Sequence, residues 1–578
     1  MQRLNLNKYK ELAATAVQQV FVREFHNSLG IPMPIIKILL PDEKSYSTGE
    51  YYITINEAWQ IHLNFGKLPV SYLEFEEEVK VLTRHEIGHY MCCPYNVITH
   101  LRMIAKIRDT YLRFYSHLNL DIISICGQLS NQISDIIVDT NNFHRHPKET
   151  LKSEIAWIKK GGNIQSFKRH QKLMFLTKEA LWKESLEINE TDEELIEKVA
   201  GLARAFEEGD VSNKKLFLKK TERYTRVFFD LFEQDATESQ DARKNSLGET
   251  GNGQQGGSAS ANGSQEQDGS GGSDLLAGKP KDGNCSDGAA IMIESTENIK
   301  DAIEQFAQEA SVDDFSEVLS MAGFNHISKK DKERIWFKIN SAVMIPIEEF
   351  DDNGSQDNYT YPATWRLGDP LENMDMMLTF LGSPIMLPGI TTKKWEKSYK
   401  EENGNHRKQL DLFLVFDTSG SMGKISDENS RMHQCILTCF GIISYFEMIK
   451  GQIATLGFSN HITVHNEWTN DYDAVRNSML VNGNGNTILP IRAIENIIES
   501  SSNSMVTVLI TDGDIHNINE MDNFFRDYLN DGNKLYILIL KDGKLHSSYN
   551  NLQSSGAQIW QSKTAEGFGR FVINDISA

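Results

Sequence analysis

The sequence predicts a multidomain protein, mainly α-helical at the N-terminus, with a doubly wound α/β domain at the C-terminus. Three observations indicate this. Apolar residues recur at three- and four-residue steps through most of the first 236 residues. Between 237 and 290 Gly, Ser, Gln and Asn dominate and aromatic residues vanish, which is typical of a flexible linker. After Leu410, short apolar runs alternate with amphipathic segments. We therefore expect domains at 1–236 and 410–578, with the linker at 237–290 and a helical and irregular connecting region at 291–409.

Composition narrows the classes of function. The chain has 578 residues, and a hydrophobic fraction of 40% is enough for several cores. The 59 basic against 80 acidic residues give a net charge of −21, which argues against binding to nucleic acid or to acidic membranes. No apolar run reaches the length of a membrane span, and the N-terminus lacks an apolar signal core. The six cysteines are scattered without a Cys-x-x-Cys spacing, so we expect reduced thiols in a cytoplasmic protein.

The first elements are an amphipathic helix and a small sheet. Periodicity predicts a helix from about Lys8 to Leu29. Ile35–Leu40 and Tyr51–Ile55 are short β-rich runs separated by turn residues.

The next helix, Tyr72 to Pro94, carries the sequence His-Glu-Ile-Gly-His. Its apolar stripe leads onto His85, Glu86 and His89, so two imidazoles and a carboxylate point inward, where an unpartnered charge is costly. Histidines four residues apart on one helical face can bind one Zn²⁺, and the glutamate between them can activate a water. The motif should occur by chance about 0.03 times in a chain of this composition. The alternative is a surface helix with two solvated histidines.

A second helix, Asp121 to Asn142, offers the third ligand. Asn131, Asp135 and Asp139 fall at i, i+4 and i+8 beside its apolar stripe. We expect Asp135 to bind the metal and Asp139 to accept a hydrogen bond from a ligating histidine, which fixes its tautomer. Two alternatives stay open. Asp139 could bind the metal while Asp135 accepts the hydrogen bond, or these residues could merely cap the end of the helix. Three histidines are alternative ligands: His100, His144 and His146.

Helical segments continue to the end of the connecting region. We expect helices at Glu193–Glu207 and Lys214–Phe232 before the linker, and at Ile293–Met321 and Lys329–Asn340 after it. Tyr359 to Lys400, with several Pro and Trp residues, should be irregular.

The C-terminal domain carries a second candidate metal site. The buried strand Leu410–Phe416 leads into the sequence Asp-Thr-Ser-Gly-Ser, and two later loops add a hydroxyl and a carboxylate. Because α/β folds place ligands at the carboxyl edge of the sheet, these oxygens should converge there. Hard oxygen ligands suit Mg²⁺ or Mn²⁺. The expected ligands are Asp417, Ser419, Ser421, Thr487 and Asp512.

These motifs resemble two known families. The segment from Leu410 to about Ile573 is similar to von Willebrand factor A (VWA) domains, Rossmann-like folds with a metal-ion-dependent adhesion site, and all five of the site's positions match. The resemblance implies that an Asp or Glu of a partner completes the metal's coordination. The N-terminal motifs resemble the HExxH zinc metallopeptidase domains that bacteria join to VWA-like domains, which implies a zincin-like fold. Those domains carry Asn-x-x-x-Asp-x-x-x-Asn on the second helix, so Asp139 departs from the pattern.

Two functions remain open. In the first, the chain is a zinc-dependent metallopeptidase with Glu86 as the general base, and its VWA domain recruits a protein substrate or partner. In the second, it is a non-catalytic adaptor that presents clients to an ATPase. Bacterial chains of this type often operate with MoxR-type AAA+ ATPases, and some with chelatase complexes, so the resemblance makes such an ATPase the expected partner. We favour the peptidase, because a purely structural zinc site does not need Glu86.

Overall fold

The computed structural model describes most of the chain and divides it into two compact units, Met1–Trp336 and Phe337–Ala578. The described residues are 6–25, 35–39, 51–55, 59–64, 71–94, 96–160, 163–207, 213–248, 296–324, 327–345, 359–365, 393–397, 410–501, 503–562 and 567–577. The protein is thus multidomain, as predicted. Its C-terminal unit has an α/β architecture with a mixed sheet of parallel and antiparallel strands.

The N-terminal unit begins with a helix and a three-stranded sheet. Helix α1, Leu6–Val20, continues into a π-helical turn at Phe21–Phe25. The strands are β1 (Ile35–Leu39), β2 (Tyr51–Ile55) and β3 (Trp59–Asn64), in the order β1-β3-β2. Strand β3 pairs parallel with β1 and antiparallel with β2. It was not among the predicted strands, although its alternating apolar residues are the signal of a half-buried strand.

Helices make up the rest of this unit. They are α2 (Tyr72–Met91), α3 (Val97–Phe114), α4 (Ile122–Arg145), α5 (Pro147–Lys160), α6 (Arg169–Trp182), α7 (Glu193–Glu207), α8 (Lys214–Gly248), α9 (Thr296–Glu309), α10 (Val312–Met321) and α11 (Lys329–Met344). The division between the two units falls inside α11.

Helix α2 positions the predicted zinc motif. The hydroxyl of Ser71 accepts a hydrogen bond from the backbone N–H of Glu74 and caps the helix. Phe75, Val79 and Ile87 are fully buried in a core shared with α1. The opposite side of α2 packs against α4. This packing turns the motif toward the helix that carries the predicted third ligand.

Two predicted boundaries differ from the structure. Helix α8 runs through residues 237–248, the first residues of the predicted linker, because no proline and no glycine interrupts this stretch before Gly248. Residues 249–290 lie outside the described residues. The predicted helix Ile293–Met321 is two helices, because Ser311 caps the start of α10. Helices α9 and α10 pack on α3, so this part of the connecting region belongs to the N-terminal unit.

The C-terminal unit is built on a six-stranded sheet. Its strands are β6 (Leu410–Asp417), β7 (Ile453–Phe458), β8 (Ile462–Thr469), β9 (Ser504–Thr511), β10 (Lys534–Ile539) and β11 (Gln558–Gln561), and its helices are α12 (Arg431–Met448), α13 (Tyr472–Met479), α14 (Ile491–Glu499), α15 (Ile518–Asn530), α16 (Ser547–Ser554) and α17 (Phe568–Ser577). The strand order is β11-β10-β9-β6-β7-β8, and all pairs are parallel except β7 with β8. A separate antiparallel pair, β4 (Tyr359–Thr364) and β5 (Lys393–Lys397), corrects the expectation of irregular structure in these two stretches. The tyrosines and threonines of β4 and the tryptophan of β5 are residue types that favour strands.

Strand β6 is buried on both faces. Phe413 and Val415 lie in a core with residues of α14, α15 and α16. Leu412 and Leu414 point to the other face and are also fully buried. Strands β6 and β9 are neighbours, so their carboxyl ends lie at the same edge of the sheet. No helix among the described residues is long and apolar enough to cross a membrane.

Candidate metal sites

His85, His89 and Asp135 come together between α2 and α4. Nε2 of His85 lies 3.2 Å from Nε2 of His89. Oδ1 of Asp135 lies 3.5 Å from the first nitrogen and 3.4 Å from the second. Among the residues that the structure describes, this is the only set of three His, Cys, Asp or Glu side chains placed closely enough to hold one metal ion. We call it the α2–α4 cluster.

Hydrogen bonds on the outer side fix both imidazoles. Nδ1 of His85 lies 2.6 Å from Oδ1 of Asp139, and Nδ1 of His89 lies 3.0 Å from the carbonyl oxygen of Cys93. Both partners are acceptors, so each Nδ1 carries a proton and donates it. In the neutral rings the two Nε2 atoms are then acceptors that face each other.

Asp135 supplies a third acceptor to the same point. Its Oδ2 accepts a hydrogen bond from Nδ2 of Asn131 at 3.2 Å. Its Oδ1 is buried and has no hydrogen-bond partner among the described residues. In a tetrahedral zinc site with bonds of about 2.0–2.1 Å, neighbouring ligand atoms are roughly 3.3–3.4 Å apart. The three separations in the cluster match this spacing, so these residues could hold a zinc ion with a fourth position left for water.

The carboxylates in and around the cluster stabilise a positive charge at its centre. Burial alone would lower the pKa of His85, but the carboxylates of Asp139 and Asp135 outweigh it and raise this pKa to about 10. Without a metal, His85 therefore holds a second proton at neutral pH. A metal ion has to displace this proton, so metal affinity should rise with pH.

Glu86 is a buried carboxyl group close enough to both histidines to feel their charge. Its side chain is buried, with the residue 5% exposed. Burial raises the pKa of its carboxyl group above the ordinary value, while the imidazoles of His85 and His89 oppose the rise. A base whose pKa lies closer to neutrality transfers protons more effectively at neutral pH.

Sequence reasoning missed two charged residues behind the cluster. Nζ of Lys178 lies 2.7 Å from Oδ2 of Asp139 and 2.8 Å from Oε1 of Glu154. Burial works against the charge of Asp139, but Lys178 and His85 outweigh it and hold the pKa of Asp139 well below its usual range. The one signal in the sequence is that Lys178 sits in a mostly apolar stretch of α6.

The residues that the sequence offered as alternative ligands either have other partners or lie outside the α2–α4 cluster. Both oxygens of Asp139 already accept hydrogen bonds, from His85 and Lys178, which favours Asp135 as the ligand. His146 pairs with Glu24 at 3.2 Å. His100 is buried outside the α2–α4 cluster, and burial lowers its pKa to about 4. His144 is likewise not part of the cluster.

The predicted ligands of the C-terminal unit lie at the carboxyl edge of β6 and β9. We call them the β6 edge cluster: Asp417, Ser419, Ser421, Thr487 and Asp512. Oδ1 of Asp417 accepts a hydrogen bond from the backbone N–H of Ser419 at 2.8 Å. The hydroxyl oxygens of Ser419 and Ser421 are 3.0 Å apart.

A second loop holds Thr487 against this edge. The backbone N–H of Gly420 donates to the carbonyl oxygen of Gly485 at 2.9 Å, and that of His516 donates to the carbonyl oxygen of Thr487 at 2.9 Å. All members of the β6 edge cluster except Ser421 are buried. The buried carboxylates and hydroxyls could hold a hard divalent cation, with Ser421 at the solvent side.

Burial and charge repulsion oppose ionisation of Asp417. Burial is the larger cause and Asp512 adds to it, so the pKa of Asp417 rises from 3.8 to about 6, although hydrogen bonds from Ser419 and Thr511 oppose the rise. Nη1 of Arg431 lies 3.3 Å from Oδ2 of Asp512 and partly offsets its charge. A divalent cation at this edge would relieve the repulsion between the two carboxylates.

Comparison with known proteins identifies no family. No family model and no curated protein matches the chain. Protein BatB from Bacteroides thetaiotaomicron and an aerotolerance-related membrane protein from Bacteroides fragilis are each 14% identical over 29% of this chain and 97% of theirs, with TM-scores of 0.24. The type V pili tip protein Mfa5 from Porphyromonas gingivalis is 16% identical over 18% of this chain and 20% of its own, with a TM-score of 0.17.

Gly88 allows α2 and α4 to approach closely. A Cβ atom at this position would overlap Cγ1 of Val138. We expect Gly88→Ala to destabilise the protein by about 1–3 kcal/mol, because it overpacks the helix contact. It should also weaken zinc binding, because it shifts His85 and His89 relative to Asp135. Thermal unfolding and a chelator competition assay measure the two effects.

The double variant Gly88→Ala with Val138→Ala tests the cause. Val138→Ala removes the methyl group that the new Cβ would meet, so the double variant should regain zinc affinity relative to Gly88→Ala alone. Equal zinc affinity of the single and double variants would contradict steric separation of the helices.

The raised pKa of Asp417 predicts a pH dependence in the metal-free protein. The folded state binds the proton of this carboxyl more tightly than the unfolded state does. The stabilisation is therefore present below about pH 4 and is lost as the pH rises through 6, by at most about 3 kcal/mol. Hydrogen exchange of the β6 and β9 amides in a chelator, measured from pH 4 to 7, should show protection falling over this range.

Asp417→Asn is the control for this titration. The variant should remove most of the pH dependence of β6 and β9 protection, and Mg²⁺ should no longer increase protection at pH 7. An unchanged pH dependence in Asp417→Asn would show that other groups cause it.

Proposed function

We propose that the chain is a zinc-dependent metallopeptidase whose C-terminal unit recruits a protein substrate or partner. The observation that carries the proposal is the convergence of three potential ligand atoms, from His85, His89 and Asp135, at 3.2–3.5 Å from one another. Without a metal, a second proton on Nε2 of His85 would face the other two atoms, and a zinc ion would take the place of that proton. Three protein ligands with an open fourth position are typical of catalytic zinc sites, whereas structural sites are closed by four.

Each residue has a defined part in peptide hydrolysis. A zinc ion held by His85, His89 and Asp135 would polarise a peptide carbonyl and acidify a water molecule. Glu86 accepts the proton of the attacking water on its carboxylate and passes it to the leaving amine. Asp139 holds His85 in the tautomer that presents Nε2, and the carbonyl oxygen of Cys93 does the same for His89.

The β6 edge cluster supports the recruiting role. We propose that it binds Mg²⁺ or Mn²⁺ as a VWA-type adhesion site, and that an Asp or Glu of the partner completes the coordination. This use is supported by the two buried carboxylates of Asp417 and Asp512 and by Ser421, which is exposed at the rim. A AAA+ ATPase is the proposed partner on the strength of the sequence resemblance.

Cleavage of unfolded casein by the purified full chain tests the peptidase. The zinc-loaded protein should cleave, the chelator-treated protein should not, and restored zinc should return the activity. If zinc binds but neither casein nor the ATPase partner is cleaved, the peptidase proposal fails and the adaptor function replaces it.

A further inference from the structure

A line of charged groups runs from the α2–α4 cluster through four helices. Nδ1 of His85 on α2 donates to Oδ1 of Asp139 on α4 at 2.6 Å. Oδ2 of the same carboxylate accepts from Nζ of Lys178 on α6 at 2.7 Å. Nζ also donates to Oε1 of Glu154 on α5 at 2.8 Å. Lys178 is only 2% exposed.

The fold alone gives little reason to bury this ion pair. Buried ion pairs pay a large desolvation cost, and apolar replacements of similar volume are often neutral or stabilising. The contacts do, however, constrain Asp139. Each of its two oxygens is held by a different donor, so its carboxylate plane cannot turn without breaking one of the bonds. The orientation of Asp139 in turn sets the orientation of the His85 ring.

We propose that Lys178 and Glu154 are positioning residues that fix Asp139, and through it His85, for zinc binding. The proposal rests on the proposed zinc site but concerns metal affinity rather than cleavage. Partners that orient metal-ligating histidines typically change metal affinity 10–100-fold when they are removed.

The charge of Lys178 alone would have the opposite effect. A positive charge behind His85 repels a cation, so its loss by itself would tighten zinc binding. Lys178 and Glu154 together carry no net charge, however. Removing both leaves the net charge around Asp139 unchanged, and any loss of affinity then reports on orientation.

The test is therefore the double variant Lys178→Met with Glu154→Gln. Zinc affinity is measured by competition with a chromophoric chelator, and the visible spectrum of the Co²⁺-loaded protein reports on the ligand geometry. We expect zinc binding to weaken 10–100-fold and the cobalt spectrum to change.

Helix α6 offers a matched control. Lys172 is also buried, at 8% exposed, and its Nζ lies 2.8 Å from Oε2 of Glu190. Lys172→Met with Glu190→Gln removes a comparable ion pair from the same helix without touching Asp139. This control variant should bind zinc with an affinity within about twofold of the wild type, as expected for substitutions that share no partner with the site.

A double-mutant cycle shows whether Lys178 acts through Asp139. In an Asp139→Asn background, the Lys178 and Glu154 substitutions should weaken zinc binding by less than threefold further. Lys178→Arg keeps a charged donor and should stay closer to the wild type, which gives a second variant should the Met variant not fold.

Several results would overturn the proposal. They are unchanged or tighter zinc binding by the Lys178/Glu154 double variant, an equal loss in the Lys172/Glu190 control, and full additivity with Asp139→Asn. A wild type that binds zinc, loses it as expected in the variant and yet cleaves nothing would leave the positioning role standing while the peptidase fails. A wild type that binds no zinc would end both.

Discussion

Glu86→Gln is expected to keep zinc bound and to lower the rate of casein cleavage by roughly 10²–10⁴-fold. This range is the usual contribution of a side chain that transfers a proton in the transition state. Glutamine preserves the volume and position of the side chain in its buried site, but it cannot accept a proton. The loss should appear in kcat, because substrate binding does not depend on this proton transfer.

Glu74→Gln is the matched control for this variant. Glu74 lies on the same helix and is exposed, so its variant should cleave at the wild-type rate. Zinc content is measured on all three proteins, which separates loss of the base from loss of the metal. Equal cleavage by Glu86→Gln and the wild type would remove Glu86 from the mechanism.

The parts of the candidate site that the sequence predicted are those set by helix geometry. His85 and His89 share a face because four residues make about one turn, and Asp135 and Asp139 do so on α4 for the same reason. Local periodicity also predicted that these faces turn inward. Helices α2 and α4 each turn polar side chains toward the interior. The two helices pack together because the polar side chains of each find their partners on the other.

Residues from distant helices could not be predicted in this way. Lys178 and Glu154 reach Asp139 only through the tertiary packing of α5 and α6, and no spacing in the sequence encodes that packing. The carbonyl oxygen of Cys93, which binds Nδ1 of His89, is a backbone atom that any residue type would supply. Both contacts depend on the path of the chain rather than on residue type.

The C-terminal unit was easier to predict because its elements are buried and regular. Strand β6, Leu410–Asp417, ends one residue after the predicted strand Leu410–Phe416. Strand β11, Gln558–Gln561, was harder to predict, because it has four residues at the sheet edge and only a weak apolar signal. Parallel order puts the loops after β6 and β9 side by side, so strand prediction largely determined the β6 edge cluster.

Asp135→Asn is expected to weaken zinc binding by roughly two to three orders of magnitude. Structural four-ligand zinc sites bind with about 10–16 kcal/mol in total, or roughly 2.5–4 kcal/mol for each ligand. The amide keeps the shape of the side chain but loses the charge and is a poor zinc ligand. Its hydrogen bond with Asn131 lies on the other oxygen, so the position of the side chain should be retained.

Metal-dependent stability separates this effect from damage to the fold. At a free zinc concentration of 100 times the wild-type dissociation constant, zinc should stabilise the wild type by about 2.7 kcal/mol and Asp135→Asn by less than about 0.5 kcal/mol. In chelator Asp135→Asn loses the attraction between its carboxylate and the protonated His85, so the effect of zinc is read within each protein, as its stability with zinc minus its stability in chelator. Asp121→Asn, at the exposed start of the same helix, should keep the full stabilisation by zinc. If Asp135→Asn retained it as well, the carboxylate would not be the third ligand, and the cluster would lose the open tetrahedral arrangement from which hydrolysis was inferred.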